Sequence, residues 1–132
     1  MIVLDASAVV QLLAGGGDWD WVSERVLEHA GELCAPHLLD AEVLSAIRGL
    51  VLGARARRSE AEAMLADFLD LKLTRYPHGP LFASAWSLRK AITAYDALYV
   101  GLAQALDVPM VTTDRALARA ARRHVRVLVP AR

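Results

Sequence analysis

The sequence predicts a single α/β domain with a mainly parallel central sheet and helices on both faces. Three observations carry that expectation. Short apolar runs, beginning with Ile2-Val3-Leu4, are continuous rather than alternating, as in strands covered on both sides. These runs are separated by stretches with helical periodicity, the arrangement of a parallel sheet with crossover helices. Acidic residues, Asp5 and Asp114, stand where the first and fourth runs end. At 132 residues the chain is expected to form one domain, 1–132, with a substantial core.

Taken in order, Ile2–Leu4 is the first strand, and Asp5 is the only charge among the first seventeen residues. A carboxylate at the end of a buried strand loses hydration unless something compensates it. Asp5 is either the N-cap of the next helix or part of a polar site. A short helix over 6–13 runs into Gly15-Gly16-Gly17, a flexible loop, since no Gly-Lys-Ser/Thr follows to make a phosphate cradle. Asp18 is expected to cap a helix reaching about Ala30, with Trp19, Val22 and Val26 at helical spacing and its tryptophans packing rather than stacking on bases. Leu33-Cys34-Ala35 is the second strand, closed by Pro36. The next helix covers about 37–52, with Leu39, Val43, Ile47 and Leu50 as its stripe and Glu42 on its flank.

After a linker at 53–58, Ser59-Glu60-Ala61-Glu62 has the form of a capping box and opens a helix to about Leu71. Leu73–Tyr76 is a short third strand, and Gly79-Pro80 starts a helix with Leu81, Ala85, Leu88 and Ile92 on one face. Within 91–106, Asp96 is the only charge in an otherwise apolar, hence buried, helix. It is either an N-cap satisfied by backbone or a carboxylate in need of a cation. Val108–Val111 is the fourth strand, followed by Thr112-Thr113-Asp114, a helix over 115–123, and a last strand over 125–129.

Fifteen basic and fifteen acidic residues cancel, yet six arginines and no acid follow from Arg115 onward. Arg115, Arg119 and Arg122 share one helix stripe, and Arg55, Arg57 and Arg58 form a second cluster. Such clusters are either solvated helix faces or phosphate-binding surfaces; arginine suits bidentate phosphate contacts. No apolar run approaches the ~20 residues of a membrane span. A strand starting at residue 2 leaves no room for a signal peptide, and lone Cys34 gives no disulfide framework, so a cytoplasmic protein is expected.

Ligands of open parallel sheets bind beyond the carboxyl ends of the strands. Asp5 and Asp114 lie at such ends, Glu42 follows the second strand, and Asp96 starts the helix feeding the fourth. Four acids on one rim should repel by about 4 kcal/mol per pair at an effective dielectric of 20. Either some protonate, with raised pKa values, or a hard divalent cation sits among them, and oxygen-only ligands select Mg²⁺ or Mn²⁺. Zinc is poorly supported, because the four histidines lack ligand spacing. A metal held by carboxylates can activate water and neutralise a phosphodiester transition state.

The segments Ile2-Val3-Leu4-Asp5-Ala6-Ser7-Ala8, Glu42, Thr93-Ala94-Tyr95-Asp96-Ala97-Leu98-Tyr99 and Val111-Thr112-Thr113-Asp114, in this order and spacing, resemble the PIN domain and, within it, the VapC-type ribonuclease toxins. The resemblance covers nearly the whole chain. It implies a Mg²⁺- or Mn²⁺-dependent endoribonuclease, a homodimer, and a small antitoxin occupying the groove of an acidic pocket. It further implies that Asp5 and Asp96 bind the metal directly, that Glu42 and Asp114 hold its waters, and that Ser7 and Thr112 orient the carboxylates. Arg115, Arg119 and Arg122 would face the RNA. The chain departs from the pattern at Ser45, where many relatives carry Asn, and in lacking a further acid just after Asp114. Two other enzymatic readings fit less well: a haloacid-dehalogenase phosphatase wants an acid where Ser7 stands, and a receiver domain wants a strand-end lysine that is absent. A non-catalytic RNA- or protein-binding module, and an RNA-processing nuclease without an antitoxin, are the remaining alternatives.

Overall fold

A computed structural model describes residues 1–131; Arg132, the last of the basic tail, lies outside the described residues. Five strands form one sheet in the order β3-β2-β1-β4-β5, and every neighbouring pair is parallel. They are β1 (Ile2–Leu4), β2 (Leu33–Pro36), β3 (Thr74–Tyr76), β4 (Met110–Val111) and β5 (Val127–Leu128). The helices are α1 (Ala6–Ala14), α2 (Trp19–Glu28), α3 (Leu38–Leu52), α4 (Arg58–Asp70), α5 (Phe82–Ser87), α6 (Ala94–Leu106) and α7 (Arg115–Ala121), with a 3-10 turn at Gly79–Leu81. α1 packs on α2, α3 and α4, while α5 packs on α6, which lies along β1, β2 and β4.

Burial follows the strand order. Every residue of β1, β2 and β4 is buried, whereas the edge strands β3 and β5 are only partly covered. That is why the central strands read as unbroken apolar runs. Ile2, Val3, Leu4, Leu39, Val43, Val100 and Met110 have no exposed surface. Each such side chain contributes about 1.5–3 kcal/mol of transfer free energy. From β1 the chain steps outward through β2 and β3, then returns to the other side of β1 for β4 and β5. The reversal falls between β1 and β4, where Leu4 pairs with Val111, and open parallel sheets bind ligands beyond the carboxyl ends of strands at such a point.

Several boundaries differ from the sequence expectation, each for a local reason. Asp18 precedes α2 but makes no capping bond; its N–H donates to Gln11 Oε1 at 3.2 Å, and its carboxylate lies 3.7 Å from Arg115 Nη2. The box that opens α4 is formed by Arg57 N–H donating to Glu60 Oε1 at 2.9 Å, not by Ser59 and Glu62. Glu62 is taken instead by Arg58, one helical turn away, at 2.6 Å. α5 stops at Ser87 rather than near Ile92. Side chains claim carbonyls that its next turn would use, Ser87 Oγ donating to Ser84 O at 2.6 Å and Arg89 Nη1 to Trp86 O at 3.0 Å. Leu81, Leu88 and Ile92 are nevertheless buried as the shared face requires.

Candidate active site

Asp5 is 4% exposed and caps α1 while also accepting hydrogen bonds from two hydroxyls. As the N-cap of α1, its Oδ1 accepts from Ala8 N–H at 3.0 Å. The same oxygen accepts from Ser7 Oγ at 2.7 Å, and Oδ2 accepts from the Thr112 hydroxyl. Thr112 is itself fully buried at the end of β4, directly across from Asp5. Its Oγ1 also accepts from Asp114 N–H at 3.0 Å and lies 3.1 Å from Ser7 Oγ, which accepts from Thr113 N–H at 3.0 Å. One hydroxyl network thus locks the ends of β1 and β4 together and fixes the rotamer of a single carboxylate.

Burial pushes the Asp5 carboxyl up to about 6, against the bonds from Thr112, Ala8 and Ser7, which favour the charged form; the Asp96 charge adds a smaller rise. Repulsion among the acids is therefore secondary to lost hydration, a correction to the expectation from crowding alone. Asp96 is half-buried in the first turn of α6, and burial raises its pKa as well, with the Asp114 charge contributing in the same direction. Asp96 is not the N-cap: Thr93 holds that place, its Oγ1 accepting from Asp96 N–H at 3.4 Å. The Asp96 side chain is left free for other chemistry. Asp114 is exposed and caps α7, Oδ1 accepting from Leu117 N–H at 3.0 Å.

Glu42, half-buried on α3, accepts a hydrogen bond from the Tyr99 hydroxyl at 2.6 Å. Tyr99 is 1% exposed, and its own pKa is raised by burial first and then by Glu42, Asp5 and Asp96. The sequence alone assigns Tyr99 no role. Its position three residues after Asp96, on the same side of α6, is the signal that points to one.

No ion pair compensates Asp5, Glu42, Asp96 or Asp114 among the described residues. Among them, too, no three His, Cys, Asp or Glu side chains converge tightly enough to enclose an ion. The donor set is oxygen only, with one buried carboxylate, a second acting on it, and hydroxyls around them. Such a set suits a hard divalent ion that keeps most of its water and takes one or two carboxylates, as Mg²⁺ does, and not a many-ligand protein cage.

The arginines divide. Arg57 and Arg58 are exposed and paired with Glu60 and Glu62, so that cluster is a solvated helix start. Arg115, Arg119 and Arg122 line one cleft of about 210 Å³ with Ala118, Val129 and Pro130. Arg119 and Arg122 are exposed there, whereas Arg115 is half-buried and turned toward Asp18. Cys34 is buried, its thiol donating to Ile2 O at 3.2 Å, and burial pushes its pKa up to about 11.

The chain is similar to known proteins of one family and fold. The PIN domain family matches residues 2–123. Ribonuclease VapC1 of Mycobacterium tuberculosis is 48% identical over 119 residues, 89% of each chain. Among solved structures, PAE2754 from Pyrobaculum aerophilum superposes with a TM-score of 0.72 at 23% identity, covering 96% of this chain and 89% of that one. VapBC2 from Rickettsia felis, solved bound to a DNA fragment from their promoter, gives 0.72 at 16% identity and 98% of both chains. With the family matched over almost its whole length and a VapC relative at nearly half identity, the chain belongs to the PIN-domain family, in its VapC-type branch.

Proposed function

We propose that this chain is a metal-dependent endoribonuclease that cleaves RNA phosphodiester bonds with an activated water, and that a small antitoxin protein restrains it. The observation that carries the reading is the Asp5 carboxylate, buried, locked by three donors and without a cationic partner among the described residues, at the carboxyl end of β1 in a VapC-type fold. A protein that only needed a cap there would gain nothing from a carboxylate whose charge is resisted by burial.

Asp5 and Asp96 would hold Mg²⁺ or Mn²⁺, which when bound supplies charge neutralisation at the scissile phosphate and lowers the pKa of a water. Ser7 and Thr112 keep both Asp5 oxygens in fixed directions. Glu42, held by Tyr99, and Asp114, held by the first turn of α7, position waters on the open side of the site. One of these two carboxylates takes the proton as water oxygen bonds to phosphorus and the bond to the leaving ribose oxygen breaks. Arg119 and Arg122, with Arg115 behind them, receive the neighbouring phosphates.

The antitoxin partner is supported by VapC kinship and by a neighbour of this fold solved as a VapBC assembly. A homodimer follows from the same resemblance. Cytoplasmic residence agrees with the lone buried thiol; among the described residues no helix is long and apolar enough to cross a membrane. RNA cleavage assays with Mg²⁺, Mn²⁺ or EDTA test the reading. Asp5→Asn and Asp96→Asn should each lower metal-dependent cleavage by about a hundredfold or more while circular dichroism is unchanged. Full activity in either variant at matched metal would refute the assigned site.

A further inference from the structure

Arg115 opens α7 directly after Asp114, and its surroundings leave it incomplete. Its Nε is buried and has no hydrogen-bond partner, the one side-chain atom in that condition among the described residues. Its Nη2 lies 3.7 Å from Asp18 Oδ1, close enough for an ion pair but too far for a hydrogen bond, and both side chains are half-buried. Nε and Nη2 form the edge with which a guanidinium grips two oxygens of one carboxylate or phosphate side by side. That edge is therefore turned from water at one end and loosely paired at the other, an arrangement that costs free energy until an oxyanion completes it. The helix gains nothing from it, because its dipole opposes a cation in the first turn.

Asp18 is held at that distance by its own loop. Its N–H donates to Gln11 Oε1 at 3.2 Å, while Trp19 donates from its backbone N–H to Gly16 O and from Nε1 to Leu12 O, both at 3.1 Å. The turn after α1 is thus pinned back onto α1. Although Asp18 stands at the N-cap of α2, its carboxylate accepts no amide hydrogen of that helix, and among the described residues Arg115 is its one charged partner. Arg115 also lines the cleft of about 210 Å³ that Arg119 and Arg122 share, and no acid lines that cleft. We infer that Asp18 is a built-in stand-in for a substrate phosphate: it keeps Arg115 beside the cleft in the free protein, yields it to an RNA phosphate on binding, and so sets how tightly RNA is held. Two non-bridging oxygens of a phosphodiester can meet Nε and Nη2 together, and Arg119 and Arg122 add to the field that draws it in. Displacing Asp18 forfeits only a loose, partly solvated ion pair. The inference rests on the ribonuclease reading above.

The test measures affinity for an oligoribonucleotide with the full chain carrying Asp5→Asn, so that bound RNA is not cleaved. Adding Asp18→Asn should tighten binding about threefold, because the carboxylate no longer competes for Arg115. That gain should vanish when Arg115→Ala is present as well. Asp20→Asn, which removes an exposed acid two residues away, should give a smaller change. In the chain with Asp5 intact, the effect of Asp18→Asn should appear in KM rather than kcat. With Asp18 in place, the NMR resonance of Arg115 Nε–H should move as RNA saturates the protein. Four results would each overturn the inference: binding that weakens or stays the same in Asp18→Asn, a gain that survives Arg115→Ala, a gain matched by Asp20→Asn, or an Arg115 resonance indifferent to RNA. Metal-dependent RNA cleavage that persists beside any of these leaves the ribonuclease reading standing, whereas a chain that neither binds nor cleaves RNA removes both.

Discussion

Replacing Asp5 by Asn should make the metal-free protein more stable at neutral pH, although it removes a residue at the heart of the site. Burial raises this carboxyl from 3.8 to about 6, so the folded chain holds a proton that the unfolded chain has already released. Below about 4 both states carry the neutral acid, and the charge costs nothing. As pH rises through the interval to about 6, the native state alone resists ionisation, and wild-type stability falls. At about 1.4 kcal/mol per pH unit the loss approaches ~3 kcal/mol above pH 6. Asn escapes that loss provided its neighbours are satisfied, and they can be. Its carbonyl keeps the bonds from Ala8 N–H and Ser7, while its amide donates to Thr112 Oγ1, whose hydroxyl can turn toward Ser7 Oγ, 3.1 Å away. Thermal melts in EDTA should therefore show Asp5→Asn above wild type by on the order of 10 °C at pH 7.5, with the gap closing near pH 4. Excess Mn²⁺ should raise wild type and leave the variant unmoved. A variant that melts below wild type at pH 7.5 in EDTA, with a gap indifferent to pH, would show that the carboxylate is an ordinary cap and refute the reasoning.

Three further outcomes are expected. Arg119→Ala with Arg122→Ala should lower the slope of log affinity for RNA against log salt by about 0.7 for each phosphate no longer neutralised, and adding Arg115→Ala should contribute less because Asp18 already engages it; an unchanged slope would make the stripe a solvated face. Tyr99→Phe leaves Glu42 without its protein donor, so cleavage should fall, chiefly in kcat, while urea unfolding shows a loss of only ~1 kcal/mol. Cys34, buried with its pKa pushed up to about 11, should resist thiol reagents at pH 8 until denaturant is added, and rapid labelling of native protein would contradict its packing.

The sequence makes the central strands and the Asp5 end of the site legible for one reason. A lone charge after an unbroken apolar run has few places to go in a parallel sheet, and Ser7 and Thr112 stand within three residues of such strand ends. What stays hidden depends on partners far apart in the chain. The Tyr99–Glu42 bond joins residues 57 positions apart, and no local pattern signals that a buried phenol will meet that acid. Asp96 has the look of a cap because it opens a helix, yet Thr93 three residues earlier has the better geometry. The expected capping box fails similarly, since Arg58 competes for Glu62 and the helix start shifts toward Arg57. Local rules place elements well, but they do not decide between two nearby residues of equal aptitude.

The bond between Asp5 and Thr112 spans 107 positions, and it bears on the order in which the chain is made. Asp5, Glu42 and β2 are made before Asp96, Asp114 and β4, the second of the two strands that pair with β1. Contacts that distant form late in folding, because the closure of a long loop must precede them. A nascent chain truncated anywhere before β4 lacks Asp114 and the whole of the Thr112 lock. A nascent chain that has not yet released β4 should therefore be inert toward the ribosome's own RNA, and competence should appear only after β4 pairs with β1. Shortened fragments of this chain should accordingly be harmless however much of α1 to α5 they retain.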